Sequence, residues 1–369
     1  MRIYKVYIGL VLIIFTFAFF MSGVRRDAVE QLAIDSAVGY DLEDTGHGIE
    51  IRSSTASRYL VTRNEVKSTN ITTRGETIGK AREERQRRID KKILIGLEKV
   101  YIIGENYAKH GISDLLDIFF RNAEIRDSTL LCVCEGKAED ILKLKIEGYP
   151  SAGDYIEGIL RYSREMGFFK DNYMLIDAYV RIDEEGRNLV LPYITVKDNI
   201  IEIYGLAIFQ QDRMVAVLPM QKAKYCNILR ENKVTGLLTL QKNSDDYLSL
   251  FSLSKRKIKC RRENGKYKFD INIKLIGQIM ANDYEPLLIN KPDKKREAEA
   301  MFAADLKQEL EAFIKDLKHE YKIDTLELGR VAAAKYGRNT GVDWNKVFLD
   351  SEIKINVTCK INRFGRGDF

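Results

Sequence analysis

Histidine is the scarcest of the chemistry-bearing residues in this 369-residue chain, with only three, His47, His110 and His319, lying far apart in sequence. Metal ligation is not expected from so few ligands so widely spread. The five cysteines (Cys132, Cys134, Cys226, Cys260 and Cys359) are an odd set without zinc spacing. There is no Gly-x-x-x-x-Gly-Lys-Ser/Thr phosphate loop and no dinucleotide fingerprint. Neither a Gly-x-Ser-x-Gly elbow nor His-Glu-x-x-His occurs. The carboxylates of "CEGKAED" and "IDEEGR" stand where turns and helix starts ordinarily carry acids. The sequence therefore names no catalytic, cofactor-binding or metal-ligating residue, and the expectation is a chain that is not an enzyme and needs no cofactor.

One more cysteine is missing at an informative place. The apolar run "VYIGLVLIIFTFAFFMSGV" covers Val6–Val24, 19 residues without a charge, and closes with Met-Ser-Gly before its last residue. A bacterial lipoprotein would carry a lipid-accepting cysteine next, where this chain has Val24. As a helix the run reaches about 28 Å, close to the hydrocarbon thickness of a bilayer. Twelve of its residues are Leu, Ile, Val or Phe, which together favour insertion by roughly 4–7 kcal/mol. Val6, Ile8, Leu10, Leu12, Ile14, Phe17 and Phe20 are the expected anchor residues. Arg2 and Lys5 precede the run and Arg25 and Arg26 follow it, so charge leans only slightly toward a cytoplasmic N-terminus. The segment also resembles a secretory signal, but Met21 is large where signal cleavage wants a small residue. An uncleaved anchor, with the rest outside the cytoplasm, is the preferred reading over a removed signal or a buried apolar helix.

The remaining composition is that of a globular protein, 31% charged and 45% hydrophobic. The formal charge of +6 permits attraction to anionic lipid or acidic polymers without singling out nucleic acid. The basic stretch Lys80, Arg82, Arg85, Arg87, Arg88, Lys91 and Lys92 is interleaved with Glu76, Glu83, Glu84 and Asp90. No aromatic residue there offers base stacking, so a solvated helix face is expected and nucleic acid is not an expected partner.

Hydrophobic periodicity predicts a mixed α+β protein in which antiparallel sheets pack on helices. "LAIDSAVGYDLEDTGHGIEIRSSTA" reads as two strands about a glycine-bearing turn. "TTRGETIGKAREERQRRIDKKI" reads as a charged helical stretch, and "KVYIIGENYA" and "STLLCVCEG" as strands. Cys132 and Cys134 then share one face of a strand as small buried hydrophobes. In "GISDLLDIFFRNAEIR", Ser113 is the expected N-cap and Leu115, Ile118, Phe119 and Phe120 the apolar stripe. "SAGDYIEGILRYSREMG" is expected to turn Tyr155, Ile159, Leu160 and Tyr162 to the core. "EGRNLVLPYITVKDN", with Pro192, suggests a boundary, so residues 25–192 form an N-terminal α/β region and 193–369 a C-terminal α+β domain. In the latter, "IIEIYGLAIFQQDRMVAVLP" is a hairpin turning at "QQDR", and its Gly205 is read as a backbone requirement. "YKFDINIKLIGQI" and "SEIKINVTCKINR" alternate as strands. A long helix from about 295 to 322 presents Phe302, Leu306, Leu310, Phe313, Leu317 and Tyr321 as one stripe. Trp344 is expected to plug the core.

Several of these strings, in this order, resemble the Ger(x)C family, the C subunits of bacterial spore germinant receptors. The resemblance rests on "LAIDSAVGYDLED", on "KVYIIGENYAKHGISDLLDIFFRNAEIRDSTLLCVCEGKAEDIL" and on "YGLAIFQQDRMVAVL". It continues through "KFDINIKLIGQI", "DTLELGRVAAAKYG", "DWNKVF" and "EIKINVTCKINRFG", and covers nearly all of the chain from about residue 28. It implies an ectodomain of three mixed α/β domains on the outer surface of the spore inner membrane. It further implies membrane-embedded A- and B-type subunits as partners, and membrane lipid. Family members usually carry a lipid on a cysteine after the signal segment, and Val24 departs from that pattern. The alternative from another class is an envelope-anchored enzyme acting on cortex peptidoglycan, which would need two carboxylates facing across a cleft or a metal cluster.

Overall fold

The computed structural model describes residues 2–21, 28–46, 48–62, 65–171, 173–243, 246–283 and 291–363. Helix α1 (Arg2–Met21) is followed by a body built on two sheets. The first has nine strands among the described residues, ordered β3-β2-β1-β5-β6-β7-β8-β9, with β4 also on β1. These are β1 (Leu32–Asp44), β2 (Ile49–Thr62), β3 (Glu65–Gly75), β4 (Lys92–Leu94), β5 (Val100–Gly104), β6 (Leu130–Cys134), β7 (Val190–Lys197), β8 (Ile200–Gln210) and β9 (Arg213–Pro219).

Strands β1, β5, β6 and β7 are mutually parallel, and antiparallel hairpins extend the sheet at both edges. Every residue of β5 and β6 is buried. A parallel strand covered on both faces needs an unbroken apolar run, and "VYIIG" and "LLCVC" supply it. On one face lie α3 (Glu105–His110), α4 (Ser113–Arg121) and α7 (Leu175–Asp183), through Tyr107, Leu115, Phe119 and Leu175. On the other lie α5 (Ala138–Leu142) and α6 (Ala152–Met166), through Ile141, Leu142, Ile156 and Leu160. Cys132 and Cys134 share this second face, as the strand period requires. Helix α2 (Ile78–Arg88) follows β3, capped by Thr77, whose Oγ1 accepts from Lys80 N at 3.2 Å.

The second sheet has four strands in the order β10 (Val234–Asn243), β11 (Asp246–Glu263), β12 (Lys266–Asn282) and β13 (Glu352–Arg363). One face is covered by α8 (Met220–Arg230), α9 (Pro292–Asp316), α10 (Leu328–Tyr336) and α11 (Trp344–Asp350). Phe269, Ile271, Ile273 and Leu275 of β12 and Phe302, Leu306, Leu310, Phe313 and Leu317 of the long helical stretch are buried, so the predicted stripes meet as expected. Trp344 is buried in the same core, its Nε1 donating to Glu185 Oε1 at 2.7 Å.

Several expectations are corrected. Ser113 opens α4, and Ile112 stands at the cap without a side-chain hydrogen bond. Phe120 and Tyr162 point outward, and Leu116 and Ile156 take the buried positions beside their neighbours. "TTRG" ends strand β3, so the charged helix begins only at Ile78. The closing strand β13 runs parallel to β12, because the crossover through α9, α10 and α11 returns the chain to the same end of the sheet. The Pro192 segment is strand β7, whose pairing with β6 begins only at Tyr193, and β8 and β9 continue the same sheet beyond it.

The side chains of Ile8, Leu10, Leu12, Ile14 and Phe17 on α1 are all exposed. The side chains of Val6 and Phe20, and all of Val24, lie outside the described residues. Among the described residues no helix is long and apolar enough to cross a membrane. The transmembrane part of the expected architecture is therefore not seen in the structure.

Candidate functional site

A concentration of buried charge, Arg181, Arg230, Asp324 and Glu327, lies where the two sheets join. Arg230 ends α8, a helix whose last six residues, Tyr225–Arg230, are all buried. Its Nη1 donates to the carbonyls of Asn188 at 3.2 Å and Thr325 at 2.7 Å, its Nη2 to Glu327 Oε1 at 2.8 Å, and its Nε to Glu231 Oε1 at 3.3 Å. Glu327 precedes α10 in a left-handed conformation, φ +58°. Arg181 Nε, from α7, lies 3.6 Å from Glu327 Oε1, while Arg187 and Arg330 approach Oε2 at 3.7 and 3.1 Å. Four guanidiniums thus surround one carboxylate.

Asp324 completes the junction. It is buried, and its two oxygens accept from Leu326 N at 3.0 Å and Gly329 N at 2.7 Å, which fixes the turn into α10. Asn188 Nδ2 donates to the Asp324 carbonyl at 3.0 Å and to Asn345 Oδ1 at 2.8 Å. Residues 181–188 of the first sheet's layer are in this way tied to α8, α10 and α11 of the second.

The chemistry available here is that of a clamp. Burial disfavours the ionised form of Glu327, but Arg230, Arg187, Arg181 and Arg330 outweigh it and hold the carboxyl at about 2. A group so firmly ionised neither gives nor takes a proton near neutrality. Burial raises Asp324 to about 6, against the backbone donors that favour its anion. Its oxygens are occupied by those N–H groups. Among the described residues no group of three or more His, Cys, Asp or Glu side chains could hold a metal ion. His47 lies outside the described residues. Burial also pushes the thiols of Cys132 and Cys134 up, as it does for small apolar-packed cysteines.

Sequence reasoning missed this junction. Its members are spread from 181 to 345 without a fixed spacing. The available signal was an arginine inside the apolar run "YCNILREN", a position where a cation needs buried partners.

The profile described as "Spore germination protein N-terminal domain" matches residues 25–196, and the one described as "Spore germination B3/ GerAC like, C-terminal" matches residues 204–365. The chain belongs to the Ger(x)C family of spore germination proteins. Among curated Ger(x)C-like relatives, "Spore germination protein GerQC" of Bacillus cereus is 21% identical over 73% of this chain and 76% of that protein. "Spore germination protein B3" of Bacillus subtilis (strain 168) is 22% identical over 80% of this chain and 81% of that protein. The solved structure titled "Crystal Structure of the GerBC protein" has the same fold, with a TM-score of 0.59 at 16% identity, over 88% of this chain and 97% of that one. In this Ger(x)C chain the charge junction bridges the stretches matched by the two domain profiles, since Arg181, Arg187 and Asn188 belong to the first and Arg230, Asp324 and Glu327 to the second.

Proposed function

We propose that this chain is the C subunit of a spore germinant receptor. It works with A- and B-type membrane subunits to trigger germination, with its body on the outer face of the spore inner membrane. The observation that carries this reading is the ordered match of both family domains, over residues 25–196 and 204–365.

Attachment to the membrane is assigned to α1. Ile8 and the apolar residues from Leu10 to Phe17 that have described side chains are between 53% and 72% exposed, on every side of the helix. A helix apolar all round is normally buried in protein or in lipid, and none of these side chains is buried among the described residues. Buried hydrocarbon is the whole physical requirement for a tether, so such a helix can replace the lipid that Val24 cannot accept.

Carbonate extraction of spore inner membranes tests the tether: the full chain stays with the membrane, and a chain lacking residues 1–24 is released. Extraction of the full chain would overturn it. Co-purification with the A- and B-type subunits tests the assignment as a subunit. Spores that lack this chain yet respond normally to every nutrient would remove the germination role. Turnover of cortex peptidoglycan by the purified protein would put an envelope enzyme in its place.

A further inference from the structure

Among the described residues, the second sheet has one face under helices and one without a covering element. Alternation along β11, β12 and β13 turns Phe269, Ile271, Ile273, Leu275 and Ile355 to the helices and places a different set outside. That set includes Lys255, Lys257 and Lys259 on β11, Lys274 on β12, and Lys354 and Lys360 on β13, all six exposed.

The register brings these charges together. Lys255 pairs directly with Lys274, and Lys259 and Lys354 flank Asp270. The acids of this face are already engaged: Asp270 by Arg261 at 2.8 Å, and Glu263 and Glu352 by Lys268 at 3.1 and 3.2 Å. Among the described residues, none of the six lysines has a carboxylate within ion-pair distance. On the helices, by contrast, Lys109 pairs with Glu105 and Lys143 with Glu139, each at 2.6 Å. Like charges directly across a strand pair oppose sheet formation. An unneutralised array held against that repulsion is complementary to an anion outside the chain.

The residue type narrows the partner. Lysine is a flexible point charge without the planar fork that arginine offers to a fixed carboxylate or phosphate. Six such charges over three adjacent strands suit anionic groups dispersed in a plane. At the end of the same face Leu253 pairs with Ile276, both half-buried, offering apolar contact beside the lysines. We propose that the bare face of the second sheet rests on the anionic headgroups of a bilayer. This rests on the tether proposed above, which keeps the body within reach of a membrane surface.

The full chain is to be reconstituted into vesicles of phosphatidylcholine alone and into vesicles containing one-third phosphatidylglycerol. Acetylation by a membrane-impermeant amine reagent is then read residue by residue, with Lys67 on the first sheet as reference. The expected result is several-fold slower acetylation of Lys255, Lys257 and Lys274 in the anionic vesicles only, relieved by high salt. In the variant with Lys255→Glu and Lys257→Glu, protection of Lys274 should vanish while the melting temperature is retained. Equal acetylation in both vesicles overturns the proposal. So does protection that appears only when A- and B-type subunits are added, which would mean an acidic protein surface instead. Failure of the tether is read separately: the protein would then float with anionic vesicles alone, in a salt-sensitive manner, and not with phosphatidylcholine vesicles.

Discussion

Arg230 Nη2 lies 2.8 Å from Glu327 Oε1, and the Arg230 side chain is wholly withdrawn from solvent. Each ion is costly to bury alone, so removing one partner leaves the other uncompensated. Arg230→Ala should therefore destabilise the folded chain by about 3–5 kcal/mol. Glu327→Gln keeps the volume and leaves four guanidiniums around a neutral amide, and should cost a comparable amount. Urea unfolding of each single variant and of the pair checks this. The double variant should fall short of the sum, because the two side chains act on each other. Strict additivity would show that the contact contributes nothing of its own.

The two acids of the junction predict opposite pH effects. For Glu327, burial is outweighed by the four arginines, and the carboxyl sits at about 2, below the ordinary 4.5. Its contribution is present above the unfolded value and is lost as pH falls toward 2. Burial raises Asp324 from 3.8 to about 6, so the folded chain takes up that proton more readily than the unfolded one. This group therefore favours folding most below 3.8, and that advantage is lost as pH rises through about 6. In Asp324→Asn, the gap in urea midpoint from the parent should change between pH 3.8 and about 6 and be level above it. Two parallel profiles across that window would contradict the assignment.

Much of this architecture is readable from periodicity. Strands β5 and β6 announce themselves as unbroken apolar runs, and the β8–β9 hairpin by its polar turn, where Gln211 takes φ +56°. The stripe of α9 and the alternation of β12 meet because both were written at the period of their element. What stayed hidden has equally physical causes. Strand β3 lies at the sheet edge with most residues exposed, so no apolar face marks it. Strand β11 carries lysines and arginines on its bare face, which disguise the alternation of Ile258 and Cys260 beneath. The charge junction joins residues more than a hundred positions apart, and only tertiary structure assembles them.

Gly205 answers a backbone requirement, and its surroundings give the reason. A Cβ at this position on β8 would lie 1.8 Å from the Leu218 carbonyl oxygen of β9, a contact with backbone that no rotamer can relieve. Gly205→Ala must then push the β8–β9 hairpin apart or shift its register. A cost of roughly 1–3 kcal/mol is expected, as for other overpacked sites. Thermal unfolding measures it. Gly158→Ala on α6, where nothing lies within 4 Å of the added carbon, is the matched control and should be neutral or stabilising. Equal effects of the two substitutions would remove the steric argument.

Two adjacent phenylalanines on α4 separate packing from exposure. The Phe119 ring stacks on Tyr101 with centroids 4.3 Å apart and meets Tyr40 edge-on at 5.6 Å, fully inside the first core. Phe120, one residue on, is 70% exposed and touches only the edge of that layer, its ring 5.2 Å from Tyr179. Phe119→Ala opens a cavity between α4 and the sheet and should cost about 3–5 kcal/mol. Phe120→Ala forfeits one half-solvated aromatic contact and should cost under about 1.5 kcal/mol. Urea unfolding of the two variants decides the order. A larger loss at Phe120 would mean that its side chain is covered in solution by something that this single chain does not provide.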